Sequence, residues 1–132
     1  MPLSIDKTIA IHTQALHLQA RRAELLGANL ANADTPGYKA RDIDFRAAMV
    51  AAAEGVAGGP LKVTHVGHVQ PEGFTPDGEL LYRQPLQPSL DGNTVETQVE
   101  MAEFAENAVR YLATLRFLSG KFNTYLSAFR GE

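Results

Sequence analysis

The sequence contains no cysteine. That absence removes any disulfide framework, thiolate nucleophile or thiolate zinc site, and it fits a reducing or an oxidising compartment equally. A basic surplus is missing too: twelve Lys+Arg stand against fifteen Asp+Glu for a net charge of −3, and the longest basic run is Arg21-Arg22. Nucleic-acid binders concentrate positive charge on one face and often interleave it with aromatics, so no nucleic-acid partner is expected. No apolar window approaches the ~18 residues of a membrane span, and the opening MPLSIDKTIAIHTQALHLQARR has no basic region leading into an unbroken apolar stretch. Neither direct membrane insertion nor a cleaved signal peptide is expected. The sequence also lacks GxSxG, GxGxxG, P-loop and HExxH patterns, which leaves no motif for an enzyme to be built on.

What is present is an uneven chain of 132 residues, enough for one structural unit. Residues 55–92 hold seven of the eleven glycines and five of the seven prolines, and helical patterns lie on either side. The expected organisation is an N-terminal helix over 1–34, a segment over 35–93 with a turn, a short helix and a Gly/Pro-rich insert, and a C-terminal helix over 94–132. The fold class is mainly α, with the two long helices forming a coiled-coil-like bundle with neighbouring subunits.

In the first helix Ile5, Ile9, His12, Leu16, Gln19, Ala23, Leu26, Leu30 and Ala33 keep 4-3 spacing, and seven of these nine are apolar. Such spacing is a coiled-coil seam. Ser4 or Asp6 can cap its start, and the turn at Thr35-Pro36-Gly37 ends it, because proline disfavours helix at the preceding residue and Pro-Gly suits the centre of a type II turn. In the last helix Met101, Ala105, Ala108, Leu112, Leu115, Ser119, Phe122, Leu126 and Phe129 repeat the pattern with eight of nine apolar. A second stripe, Phe104, Tyr111, Leu118 and Tyr125, runs beside it. The apolar surface is therefore wider than one partner helix needs, and the pattern predicts at least two neighbours. Glu96, Glu100, Glu103 and Glu106 precede Arg110, Arg116, Lys121 and Arg130, an order that complements the helix dipole.

Between the long helices, Asp42 or Asp44 can cap a short helix through Phe45–Ala53. Leu61–Val66 and Glu79–Arg83 alternate like strands and suggest a small hairpin, too small to form a core alone.

Few residues suggest chemistry. His65 and His68 sit three apart in a glycine-containing loop and supply only half a tetrahedral metal site. His12 and His17 read as polar residues on or beside a packed helix. The pairs Asp42/Asp44 and Glu100/Glu103 come with no pocket that would tune a proton donor, and caps and a solvated face account for them. No cofactor or metal is expected. Packing is the expected function, and the two seams could close as a monomeric hairpin or pair between chains. The doubled stripe on the last helix favours assembly, since a lone hairpin leaves one stripe in water.

The stretch Asn29-Leu30-Ala31-Asn32 followed by Thr35-Pro36-Gly37-Tyr38 resembles the N-terminal signature of the bacterial flagellar rod and hook proteins. The continuation Lys39-Ala40-Arg41-Asp42, with Leu90-Asp91-Gly92-Asn93-Thr94-Val95 and the segment Glu100–Asn107, looks most like the proximal-rod branch of that axial family. The short middle segment agrees with that branch. The resemblance implies a basal-body subunit, exported through the flagellar type III apparatus and assembled in the periplasm at the base of the rod. Its implied partners are other copies of itself, other rod proteins, the MS-ring/rod adaptor and the export gate; the alternative is a monomeric helical adaptor or chaperone-like binding protein. The residues expected to carry assembly are Ile9, Leu16, Leu26, Asn29, Leu30, Asn32, Pro36, Gly37, Tyr38, Met101, Phe104, Ala108, Tyr111, Leu112, Leu115, Leu118 and Phe122. Of these, Asn29 and Asn32 either bridge to a neighbouring backbone or merely cap the first helix.

Overall fold

The computed structural model describes residues 5–53 and 78–131. In chain order its elements are α1 (Ile5–Ala31), β1 (Arg41–Ile43), α2 (Phe45–Ala53), β2 (Leu80–Tyr82) and α3 (Thr97–Arg130). The protein is mainly helical: the long N- and C-terminal helices pack together, and the middle contributes a short two-stranded segment.

Helix α1 has 27 residues and spans about 40 Å at 1.5 Å per residue. It ends at Ala31, three residues before the expected boundary at 34, and the expected turn follows. The Tyr38 N–H donates to the Thr35 carbonyl at 3.3 Å, and Gly37 has φ +73°, which with Pro36 before it is the type II turn. Helix α3 has 34 residues and closes on Gly131 in the left-handed conformation, whose N–H donates to the Ser127 carbonyl. Its start lies three residues beyond the expected Thr94, because Asn93 and Thr94 are held in contacts outside the helix.

Asp44 is the cap of α2: its side chain accepts from the Ala47 N–H at 2.9 Å and its carbonyl from the Ala48 N–H at 3.0 Å. Asp42, the other candidate, is engaged in ion pairs instead. Helix α2 presses Phe45, Ala48 and Met49 onto a small core of Leu18, Leu25 and Ile43. Leu18 and Leu25 lie seven apart but off the 4-3 seam of α1, so the core uses a face that the seam does not mark.

Strand β2 pairs antiparallel with β1, in the register Arg41↔Tyr82, Asp42↔Leu81 and Ile43↔Leu80. The expected hairpin partner Leu61–Val66, like His65 and His68, lies outside the described residues. Gly78 enters β2 with φ +82° directly over the core, where an added Cβ would meet Ala48, Ile43 and Leu18 at 3.5–3.6 Å. Any L side chain there would be strained by the dihedral, although its Cβ would meet the core at ordinary contact distances.

Candidate assembly interface

Two polar clasps set the geometry of the helix pair. The first joins the two sequence signatures. Asn29, fully buried, mimics a strand neighbour: its Nδ2 donates to the Arg41 carbonyl at 2.8 Å and its Oδ1 accepts from the Arg41 N–H at 3.0 Å. The Tyr38 hydroxyl adds a 3.4 Å contact to the same oxygen. Asn32 acts locally, donating to the Ala28 carbonyl at 2.8 Å and accepting from the Thr35 hydroxyl at 3.2 Å. The two readings of these asparagines thus divide between them: Asn29 bridges and Asn32 caps.

Residues 91–94 run alongside 37–40. The Gly37 N–H donates to the Asp91 carbonyl at 2.9 Å, the Thr94 N–H to the Tyr38 carbonyl at 3.0 Å, and the Ala40 N–H to the Thr94 hydroxyl at 2.7 Å. Asn93, buried, points its Nδ2 at the end of α1 and donates to the carbonyls of Asn32, Ala33 and Thr35 at 3.1, 2.7 and 3.0 Å. A residue about sixty positions away therefore holds the turn that follows α1. Sequence reasoning quoted Asn93 within a motif but gave it no role.

The second clasp is ionic. Arg22 on α1 binds both oxygens of Asp42 on β1 at 2.8 and 2.9 Å and also Glu103 on α3 at 2.7 Å. Arg83, just past β2, binds Asp42 and the fully buried Glu100, the latter at 2.8 Å. The second oxygen of Glu100 accepts from Asn29 at 3.1 Å, so the ionic cluster and the first clasp share a member. Burial works against the Asp42 carboxylate, but the Arg22 hydrogen bond, the Ile43 N–H and Arg83 outweigh it and hold its pKa below the ordinary aspartate value. The hydrogen bond to Asp42 correspondingly raises the Arg22 pKa against its own desolvation. Glu100 and Glu103 are therefore anchors of the helix pair, where the sequence suggested a solvated face.

Farther along, the contact between α1 and α3 stays polar. Asn107, buried, donates to the Gln19 carbonyl at 2.9 Å, and Gln19 donates to the Thr114 hydroxyl at 3.2 Å. Glu100, Asn107 and Thr114 form a seven-residue series on the side of α3 that faces α1.

The apolar stripes sit elsewhere. On the α3 seam Met101, Ala108, Leu112, Leu115 and Phe122 are exposed, and so is Phe104 of the second stripe. Tyr111 and Leu118 of that stripe are half-buried on the flank toward α1. On α1, Ile9, Leu16 and Leu30 are half-buried, whereas Leu26, like Asn29, is buried inside the chain. At the turn Pro36 and Gly37 are exposed, and Tyr38 and Asn32 are half-buried. Of the 17 expected residues, Leu26 and Asn29 are thus buried, Ile9, Leu16, Leu30, Asn32, Tyr38, Tyr111 and Leu118 half-buried, and Pro36, Gly37, Met101, Phe104, Ala108, Leu112, Leu115 and Phe122 exposed. Among the described residues no cluster of three or more His, Asp or Glu side chains is arranged to hold a metal.

Residues 9–39 match the family model described as flagella basal body rod protein. The chain is 47% identical over 124 residues, 94% of both sequences, to "Flagellar basal body rod protein FlgB" of Cereibacter sphaeroides. It is 41% identical to the protein of that name from Salmonella typhimurium over 96% of both chains, and 43% identical to that of Escherichia coli K12 over 89% of this chain and 88% of the other. This chain belongs to the FlgB family of flagellar basal body rod proteins. It is a structural protein of the basal body rod and not an enzyme. The family-model match covers the first clasp's Asn29, Asn32, Pro36, Gly37 and Tyr38, and ends before the Asp42 ion pairs. None of the described helices is long and apolar enough to cross a membrane.

Proposed function

We propose that the chain is a building block of the proximal rod, joined to its neighbours through its terminal helices in a tube that transmits torque and surrounds the export channel. The observation that carries this reading is the division of α3: it is fastened to α1 by hydrogen bonds and ion pairs, while Met101, Leu112, Leu115, Phe122, Leu126 and Phe129 stay exposed. Contiguous apolar surface of this kind marks an interaction site. The candidate neighbours are other copies of the chain, other rod proteins, and the MS-ring/rod adaptor and export gate below. Export without a cleaved signal, through the flagellar type III route, accompanies the same reading.

The test is an electron-microscopy map of basal bodies from a strain in which this chain replaces the resident rod-base subunit. Density for α1 and α3 at the base of the rod is the expected result. Basal bodies that lack the chain, together with a mass in solution that stays monomeric at every concentration, would instead identify a helical adaptor.

A further inference from the structure

Between α1 and α3 lies an apolar groove of about 450 Å³, lined by the small Ala20, Ala23 and Ala108 and the large Phe104, Tyr111 and Leu112. Gln19 lines it too, and the Gln19 Oε1 is buried without a hydrogen-bond partner. Reversing the amide would only exchange the roles, giving the oxygen the Thr114 hydroxyl and leaving Nε2 in the buried, unpartnered place. Gln19 Nε2 already donates to the Thr114 hydroxyl, whose own proton goes to the Arg110 carbonyl at 2.9 Å. A buried acceptor left unmet is costly, and an incoming donor would relieve it.

We propose that this groove receives the C-terminal half of α3 from a second copy of the chain. The inference rests on the rod-subunit reading and names the surface through which copies would join. That half of α3 presents Leu115, Phe122, Leu126 and Phe129, all exposed, with the side-chain donors Lys121 and Asn123 on either side of Phe122. Charge agrees with the pairing. From Asn107 to Arg130 the helix carries Arg110, Arg116, Lys121 and Arg130 and no acid, whereas from Glu96 to Glu106 it carries four acids and no base. Glu103 and Glu106, next in sequence to the groove residues Phe104 and Asn107, are paired with Arg22 and Arg110 but keep 32% and 51% of their side chains exposed. Arg116, Lys121 and Arg130 have no ion-pair partner among the described residues.

Groove and apolar tip are different surfaces, so the contact is heterologous and passes from copy to copy rather than ending at a pair. Two grooves meeting face to face would bury Gln19 Oε1 without either of the donors that flank Phe122.

The absence of cysteine makes the test clean. In the double variant Ala108→Cys/Leu126→Cys the two thiols stand 18 residues apart on one helix, about 27 Å. A disulfide needs Cα atoms within about 7 Å, so every bond formed joins two molecules. The full chain is expressed in a strain lacking its rod-base subunit, and isolated basal bodies are oxidised. The expected result is a ladder of multimers of this chain, at least tenfold stronger than with Val109→Cys/Leu126→Cys, whose first thiol is exposed but outside the groove. Basal bodies that contain the double variant without a ladder overturn the proposal and leave the rod reading standing. Cross-links to a different rod component alone overturn the choice of occupant. Basal bodies without even the wild-type chain overturn the rod reading itself. Should the first double variant fail to restore motility under reduction, Ala20→Cys/Phe129→Cys reads the same contact.

Discussion

Along α3, Glu100, Asn107 and Thr114 bond to α1, whereas Met101, Leu112, Leu115, Phe122 and Phe129 are all exposed, Leu112 in the wall of the groove between the helices. The usual economy of a helix pair is inverted. Burying apolar surface is worth about 25 cal/mol per Å², so the outward side holds most of the association energy that α3 can offer. The inward side offers register: buried ion pairs and hydrogen bonds add little net stability, but they penalise every misaligned arrangement that would leave one of them unpaired. A chain that must present a defined surface to neighbours is served by that division, with polar contacts fixing the helix pair and apolar contacts left for what joins it.

The comparison breaks most directly at the ionic clasp. Arg83→Ala leaves the fully buried Glu100 with Asn29 as its remaining side-chain partner, and removing one member of a buried pair costs about 3–5 kcal/mol. The expected outcome is a large fall in the urea midpoint of the isolated chain. An unchanged midpoint would show that the inward side does not set its stability. Asn93→Ala comes next, with an expected loss of about 1–2 kcal/mol, because the Ala33 carbonyl loses its donor, while those of Asn32 and Thr35 keep the Thr35 and Tyr38 N–H groups. Hydrogen exchange confined to residues near 30–35 would locate that loss.

Acid probes the same clasp more gently. The folded-state pKa of Asp42 is depressed, so its contribution is fully present above the unfolded value of about 3.9 and disappears as pH falls through the lower folded value. Wild-type stability should therefore drop below about pH 4 more steeply than that of Asp42→Asn, which has already lost the charge. Parallel acid profiles for the two proteins would remove Asp42 from the account. At the turn, Gly37→Val is expected to cost about 1–2 kcal/mol from the positive φ alone, since no atom lies within 4 Å of the added Cβ. Tyr38→Phe gives up only a 3.4 Å hydroxyl contact and should cost less than about 0.5 kcal/mol. Thermal melts of the pair check the order.

Much of this division was legible in the sequence. The 4-3 spacing gave both long helices, the Pro36-Gly37 pair gave the turn, and Asp44 gave the start of α2. What stayed hidden has one physical cause: periodicity reports where apolar residues lie, and the helix pair here is fastened by polar ones. Glu100, Asn107 and Thr114 are as regular as the seam, but a polar series at helical spacing ordinarily faces water. The partner of β2 was hidden for another reason, since strand alternation indicates a face and not a neighbour. Gln19, one of two polar residues in the α1 seam, was the visible hint that the contact with α3 is fastened by polar groups.

The smallest expected effect on the isolated chain is the most informative about the outward side. Leu112 is 58% exposed, so Leu112→Asp should change the stability of the isolated chain by no more than about 0.5 kcal/mol. In an assembled tube the same side chain would lie in a desolvated seam. The substitution would forfeit about 1.5–3 kcal/mol of leucine burial and place an unpaired carboxylate in an apolar contact, at a further cost of several kcal/mol. Unchanged circular dichroism and urea midpoint, combined with loss of motility and of rod assembly, is the expected pair of results. A corresponding change on the inward side, as in Arg83→Ala, should lower both stability and assembly. Were Leu112→Asp to unfold the isolated chain, its side chain would belong to the intramolecular core. Were it to leave motility intact, the outward face of α3 would not be where subunits meet.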